Sequence, residues 1–174
     1  DAAIIAVGGV RDTLELSETT GTKVIPLPDF LTAEIGSEVT IVGSNAQAVD
    51  AALYLMAQGK HVTMVTPDSM DQFDKGQSNW VKTFVKPMLL ARGMRIWPHA
   101  EIVSVGDGEV TIAGETGAEI TLSCDAVIEA MDMLPNPSLG EETYGIEMHV
   151  VGDAAKPWNI AEAIAAGNLA ARAL

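Results

Sequence analysis

Within residues 38–65 a short apolar run, a glycine turn, an alanine-rich amphipathic stretch and a second apolar run follow in order, which leaves few folds open. Val39, Thr40, Ile41 and Val42 have the β-branched composition of a strand buried on both faces. The run stops at Gly43-Ser44-Asn45. From Ala46 onward, Ala48, Ala51, Ala52, Leu55 and Met56 recur at spacings of three and four, as on one face of a helix. Gly59 stands where a helix C-cap glycine belongs, and residues 62–65 read as a second buried strand. Strand, turn, helix and strand make a βαβ unit with an expected right-handed crossover, so the fold class is α/β with a Rossmann-like parallel sheet.

The rest of the chain extends this frame. Residues 66–79, with Pro67, Asp68, Asp71 and Asp74, predict a polar loop. Residues 80–92 return to helical spacing, and Pro87 is expected to kink or interrupt that helix. Residues 95–97, 101–105, 109–112 and 119–122 predict a small antiparallel β-meander, with glycine turns at 106–108 and 114–117. Residues 126–128 and 148–151 read as buried strands, and 159–174 as an alanine-rich helix. The pattern Asp-Ala-x-Ile-x-Ala occurs at Asp1 and again at Asp125, which suggests two related α/β lobes. The expected division is a Rossmann-like domain over 38–125 and a partial second α/β lobe from 1–37 and 126–174. A start at Asp1 without methionine suggests a piece of something longer.

Charge narrows the partners. Ten basic against 24 acidic residues give 10 − 24 = −14, which argues against nucleic acid or an anionic membrane, since both reward Lys and Arg. An anion site in such a chain has to rely on backbone N–H groups. The longest apolar run near the start, residues 2–7, is too short for a spanning helix or a signal-peptide core. A single cysteine, Cys124, forms no internal disulfide, and a reducing, cytoplasmic setting is expected.

A strand followed by a glycine turn and a helix N-terminus is a ready anion site, because the first helical amides lack internal partners and the helix dipole is positive there. The dinucleotide fingerprint G-x-G-x-x-G falls on Gly43, Asn45 and Ala48. Only the first position is glycine. Asn can take a positive φ and keep the turn, yet its side chain would crowd a close pyrophosphate; Ala48 is a mild replacement at the helix–strand contact. A nucleotide site and a plain βαβ turn both fit this pattern. At the end of the following strand, where an acid would hold a ribose hydroxyl, stand Thr66 and then Asp68. The absence of Arg and Lys from 61–74 leans toward NADH over NADPH.

Gly152-Asp153-Ala154 marks a second strand–turn–helix junction, where Asp153 could accept from cofactor hydroxyls or serve the turn. His61, His99 and His149 lack metal-ligand spacing, so no metal site is expected. Cys124 reads as a small buried hydrophobe. Ser44 sits on a strand-to-helix turn, but G-x-S-x-G is absent, and a hydrolase would need a His and an acid beside it. Glu141, Glu142 and Glu147 read as solvated surface, and Met131 and Met133 lie beside the expected crevice.

Taken in order, residues 1–9, 39–43 with their helix, 62–65, 126–130 with Pro135-Asn136, and 151–154 resemble the pyridine nucleotide-disulfide oxidoreductase superfamily. The family's Ala-Thr-Gly element corresponds to Ala6-Val7-Gly8 and to Ala130-Met131-Asp132, and its Gly-Asp element to Gly152-Asp153. The nearest resemblance is to the C-terminal part of old yellow enzyme-like NADH:flavin oxidoreductases, dienoyl-CoA reductases, and trimethylamine or histamine dehydrogenases. It implies a nicotinamide-dinucleotide-binding domain over 38–125 inserted into an FAD- or ADP-binding lobe. It also implies a parent flavoprotein carrying FMN and an iron–sulfur cluster on an N-terminal barrel. On this basis Gly43, Ser44, Asn45, Ala46, Gln47 and Ala48 would face the pyrophosphate of NAD(P)H, and Thr66 and Asp68 the adenosine ribose. Met131 would lie near the nicotinamide, and Gly152 and Asp153 would face FAD or ADP once the missing N-terminal part is supplied.

Three departures accompany the resemblance: the N-terminal FAD fingerprint, the second glycine of the nucleotide fingerprint and any Cys-x-x-Cys pair are missing. The last excludes disulfide reductase chemistry, and no residue qualifies as a catalytic acid or base. Two functions follow as alternatives. One is a dinucleotide carrier that positions NAD(P)H for hydride transfer to or from flavin. The other is a degenerate, non-binding domain that supports the parent protein or docks an electron-transfer partner, as in amine dehydrogenases.

Overall fold

The computed structural model describes residues 2–16, 19–136 and 145–174. Asp1 of the repeated pattern, and Glu141 and Glu142, lie outside the described residues. The chain divides into two compact units, Thr13–Met131 and a second one made of its two ends, Asp1–Asp12 with Asp132–Leu174.

In chain order the strands are β1 (Ala2–Ile5), β2 (Val10–Arg11), β3 (Lys23–Pro26), β4 (Glu38–Val42), β5 (His61–Val65), β6 (Arg95–Trp97), β7 (Ala100–Val105), β8 (Glu109–Gly114), β9 (Glu119–Ser123), β10 (Ala126–Glu129), β11 (Met133–Leu134) and β12 (Glu147–Val150). The helices are α1 (Ala46–Ala57), α2 (Asn79–Ala91) and α3 (Ile160–Ala173).

The unit Thr13–Met131 is built on a parallel sheet of five strands in the order β3-β10-β4-β5-β6. Side chains alternate between its two faces. Val39 and Ile41 of β4, Val62 and Met64 of β5, and Ala126 and Ile128 of β10 pack with α1 and α2 residues such as Ala48, Ala52, Leu55 and Leu89. Val42, Val65 and Val127 point the other way, into a core shared with Ile102, Val110 and Ile112. A sheet covered on both faces needs apolar residues at successive positions, which is why Ile41-Val42 of β4 and Ala126-Val127-Ile128 of β10 stand as consecutive apolar residues.

The parallel sheet, its helices and the small antiparallel sheet are those the sequence predicts, with differences in their arrangement. Both helices lie on one face and β7-β8-β9 covers the other. The crossovers β4-α1-β5 and β5-α2-β6 advance in the same direction, and right-handed connections then put both helices on the same side. Arg95–Trp97 belongs to the parallel sheet beside β5, not to the meander. Pro87 lies inside α2 without interrupting it. It sits with Thr83 on the exposed side of the helix, where the carbonyl that loses its i+4 donor can take water. The compact unit also runs beyond both ends of 38–125, because β3 and β10 are strands of its sheet.

Helix ends follow the sequence closely. After α1, Gly59 has φ +79, its N–H donates to Met56 O at 3.0 Å, and the Lys60 N–H donates to Leu55 O at 3.1 Å. This pair of bonds is the Schellman arrangement, which only a residue at ease with positive φ closes cheaply. Gly93, φ +94, ends α2 in the same way through Gly93 N–H to Leu90 O and Met94 N–H to Leu89 O.

In the unit formed by the chain ends, β1 and β12 pair in parallel and β2 and β11 antiparallel. Asn159 caps α3, its side chain accepting the Glu162 N–H at 3.0 Å. Trp158, Ile160 and Ile164 are exposed.

Candidate functional site

The candidate site lies at the C-terminal end of β4, where the strand order of the sheet reverses between β4 and β10, the usual ligand position in such sheets. Gly43 leaves β4 with φ +114 and donates its N–H to Val65 O at 2.9 Å. A Cβ at this position would overlap the Ala130 carbonyl. Two demands within the protein itself, left-handed backbone and close approach of the neighbouring chain, therefore fix glycine here.

Asn45 departs from expectation. Its φ is −71° and ψ 172°, so it is extended and not left-handed; Gly43 supplies the positive φ of the turn. Asn45 is the N-cap of α1, its Oδ1 accepting the Ala48 N–H at 3.0 Å. Its Nδ2 donates to Ala130 O at 2.9 Å and to Met131 O at 3.3 Å. One carboxamide thus satisfies a helical donor and two carbonyls beyond β10. Ala46 and Gln47 form the first turn of α1, and Ala48 is fully buried against the sheet. Met131 packs against the core shared with the meander.

Ser44, Thr66 and Asp68 come together and bond to each other. Thr66 Oγ1 donates to Ser44 Oγ at 3.2 Å, and Ser44 Oγ donates to Asp68 Oδ2 at 2.8 Å. The Asp68 N–H returns to Thr66 Oγ1 at 3.1 Å. Lys75 Nζ lies 3.2 Å from Asp68 Oδ2. Ser44 and Thr66 are 1% and 2% exposed, so little of either faces solvent.

Two residues here escaped the sequence reading. Lys75 brings a cation to the strand end although 61–74 contains none; it stands one position past that window. Asp74 covers Ser44, its N–H donating to Ser44 O at 2.7 Å. It has φ +57 and is 1% exposed, and neither carboxylate oxygen has a hydrogen-bond partner. Burial pushes its pKa up to about 6, with Lys82 opposing and Asp50 adding to the rise. A positive φ at a non-glycine residue is not readable from composition, though Asp is one of the types that tolerates it.

Among the described residues no histidine is hydrogen-bonded to Ser44, whose Oγ meets the Asp68 carboxylate instead: His61 pairs with Glu38 at 2.5 Å and His99 with Glu115 at 3.1 Å. Among the described residues no cluster of three or more His, Cys, Asp or Glu could hold a metal. Cys124 is fully buried with Sγ 3.2 Å from Ala126 O, and burial pushes its thiol pKa up.

Gly152 and Asp153 belong to the other unit. Gly152 has φ +62 and opens a single 3₁₀ turn after β12, and Asp153 Oδ1 accepts the Trp158 N–H at 3.4 Å. A cavity of about 360 Å³ adjoins this turn, lined by Val150, Gly152, Lys156, Trp158 and Glu162 among others.

A family model described as pyridine nucleotide-disulphide oxidoreductase matches residues 20–132. No curated protein matches the sequence. Among solved structures, histamine dehydrogenase from Rhizobium sp. 4-9 is 22% identical with a TM-score of 0.79, over 100% of this chain and 30% of its own. 2-Naphthoyl-CoA reductase is 22% identical with a TM-score of 0.77, over 96% of this chain and 26% of its own. The 6-hydroxypseudooxynicotine amine oxidase of Pseudomonas geniculata N1 is 21% identical with a TM-score of 0.70, over 98% and 28%. These likenesses establish the fold, and the chain spans less than a third of each of these three proteins. Among the described residues no helix is long and apolar enough to cross a membrane.

Proposed function

The chain belongs to the pyridine nucleotide-disulphide oxidoreductase family, and on that premise we propose that it is a supporting domain of a larger flavoprotein whose nicotinamide-nucleotide corner is closed by its own side chains. The observation that carries this reading is the Asn45 carboxamide, which caps α1 and clamps the Ala130 and Met131 carbonyls. In the family fingerprint that position is glycine so that backbone can meet a pyrophosphate. Here the Ala48 amide is taken, a side chain stands in the corner, and Ser44 is buried beneath Asp74. A net charge of −14 adds general repulsion toward a polyanion. Supporting the parent protein, or presenting a surface to an electron-transfer partner, then replaces hydride delivery as the domain's role.

The test is calorimetric titration of the full-length protein with NADH and NADPH, beside Asn45→Gly. No saturable heat up to millimolar nucleotide in the unmodified protein, with binding gained by Asn45→Gly, supports the reading. Saturable binding without the substitution overturns it.

A second reading, a dinucleotide carrier, is favoured by the left-handed Gly43 turn at the N-terminus of a twelve-residue helix and by Lys75 at the strand end. Under it the same titration saturates, and Gly43, Ser44, Asn45, Ala46, Gln47, Ala48, Thr66, Asp68 and Met131 face NAD(P)H. For the other unit, the cavity at the Gly152 turn supports an ADP-type or FAD site completed by the rest of the parent. FMN and an iron–sulfur cluster belong to that parent in the same proposal. Loss of ADP or FAD affinity on Asp153→Ala tests it.

A further inference from the structure

We propose that residues 67–78 form a pH-sensitive clasp over the β4–α1 turn, shut on Ser44 while the Asp74 carboxyl is protonated and released when it ionises.

The geometry shows a segment fastened at several points around an uncompensated acid. The Asp74 N–H holds Ser44 O at 2.7 Å. Phe73 is 3% exposed in the helix-side core. Lys86 of α2 donates to Met70 O at 3.0 Å and stands 5.8 Å from the centre of the Phe73 ring. Lys75 and Asp68 pair within the segment. At the middle of these fastenings the Asp74 side chain is buried with no donor on either oxygen. A neutral carboxyl tolerates such a place far better than a carboxylate, whose desolvation no hydrogen bond repays.

The charged groups acting on Asp74 from the packed elements are Asp50 of α1, which disfavours ionisation, and Lys82 of α2, which favours it. Lys75 and Lys86 are engaged with Asp68 and with Met70. Burial outweighs both charges, and the acid titrates near pH 6 when the segment is closed. In the open segment it returns toward the ordinary value of 3.8. The closed state is therefore fully favoured below that value and loses its advantage as pH rises through about 6. A displacement of about two units bounds the change in the closed-to-open ratio at roughly 100-fold. The proposal rests on this segment's packing alone and stands whether or not a nucleotide binds.

Hydrogen–deuterium exchange of the full-length protein, read on peptides covering 67–78 and corrected for intrinsic exchange, tests it between pH 5 and pH 8. Protection in these peptides is expected to fall about tenfold over that range, the rest of the loss lying below pH 5. Asp74→Asn keeps the shape, tolerates the left-handed backbone and cannot ionise, so its protection stays high and flat. Lys82→Met removes the favourable charge and moves the midpoint of the loss to higher pH. Protection that is independent of pH in the unmodified protein, or an unchanged loss in Asp74→Asn, overturns the proposal. So does a midpoint unmoved by Lys82→Met.

Discussion

The Ala130 carbonyl stands where a side chain on Gly43 would begin, so the most family-like residue of the turn is required by the fold before any ligand is considered. The two residues face each other across the C-terminal ends of β4 and β10, and the Ala130 N–H donates to the O of Val42, the residue before Gly43, at 3.0 Å.

Gly43→Ala is expected to destabilise the domain by about 3 kcal/mol or more, combining positive-φ strain with overlap against backbone that has no room to move. Urea unfolding measures it. A loss below about 1 kcal/mol would mean that the Ala130 strand yields easily.

Asn45→Ala removes the α1 cap and leaves the Ala130 and Met131 carbonyls without their donor. Its cost is expected to be about 2 kcal/mol, one part from the cap and one from the lost bonds. Asn45→Asp keeps the cap but sets a carboxylate against two carbonyls, so it should be no more stable than Asn45→Ala. Thermal unfolding of the three proteins side by side checks that order.

Asp74→Asn is expected to stabilise the protein at pH 8 by up to about 3 kcal/mol relative to the unmodified chain. The difference should shrink as pH falls from about 6 toward 3.8, below which Asp74 is neutral folded and unfolded alike. Urea midpoints at pH 4.5, 6 and 8 give the profile, and a difference that does not vary with pH would assign the effect to something other than ionisation.

Asp125 accepts the Ser37 N–H at 2.6 Å and the Glu38 N–H at 2.9 Å, which holds its carboxyl below the usual carboxylate range. A lowered pKa contributes stability above the ordinary value of 3.8 that is lost as pH falls through the folded value. Asp125→Asn should therefore be less stable than the unmodified protein at neutral pH, and the two should converge in acid. Melting temperatures between pH 3 and pH 7 decide it.

The sequence carried what repeats along the backbone. The buried apolar runs of β4, β5 and β10, the small residues on α1 and the glycine at 59 each have a local physical cause, so their places could be read off directly. Arg95–Trp97 misled because three residues carry too little pattern to tell a parallel edge from a meander strand. Asn45 misled for a different reason. Its identity allowed a left-handed turn or a cap, and only the Ala130 and Met131 carbonyls, distant in sequence, decide for the cap. Lys75 and Asp74 reach the site through the fold of a loop, which no periodicity records.

The chain enters and leaves the larger unit side by side: the Leu14 N–H donates to the Glu129 carboxylate, while just outside it the Asp12 N–H donates to Asp132 O at 2.9 Å. A module whose two ends are a hydrogen bond apart can be cut out and its stumps rejoined by a few residues, or grafted into another host loop, without rerouting either polypeptide. Gene architectures that swap, duplicate or delete such a cassette are accordingly accessible in single steps.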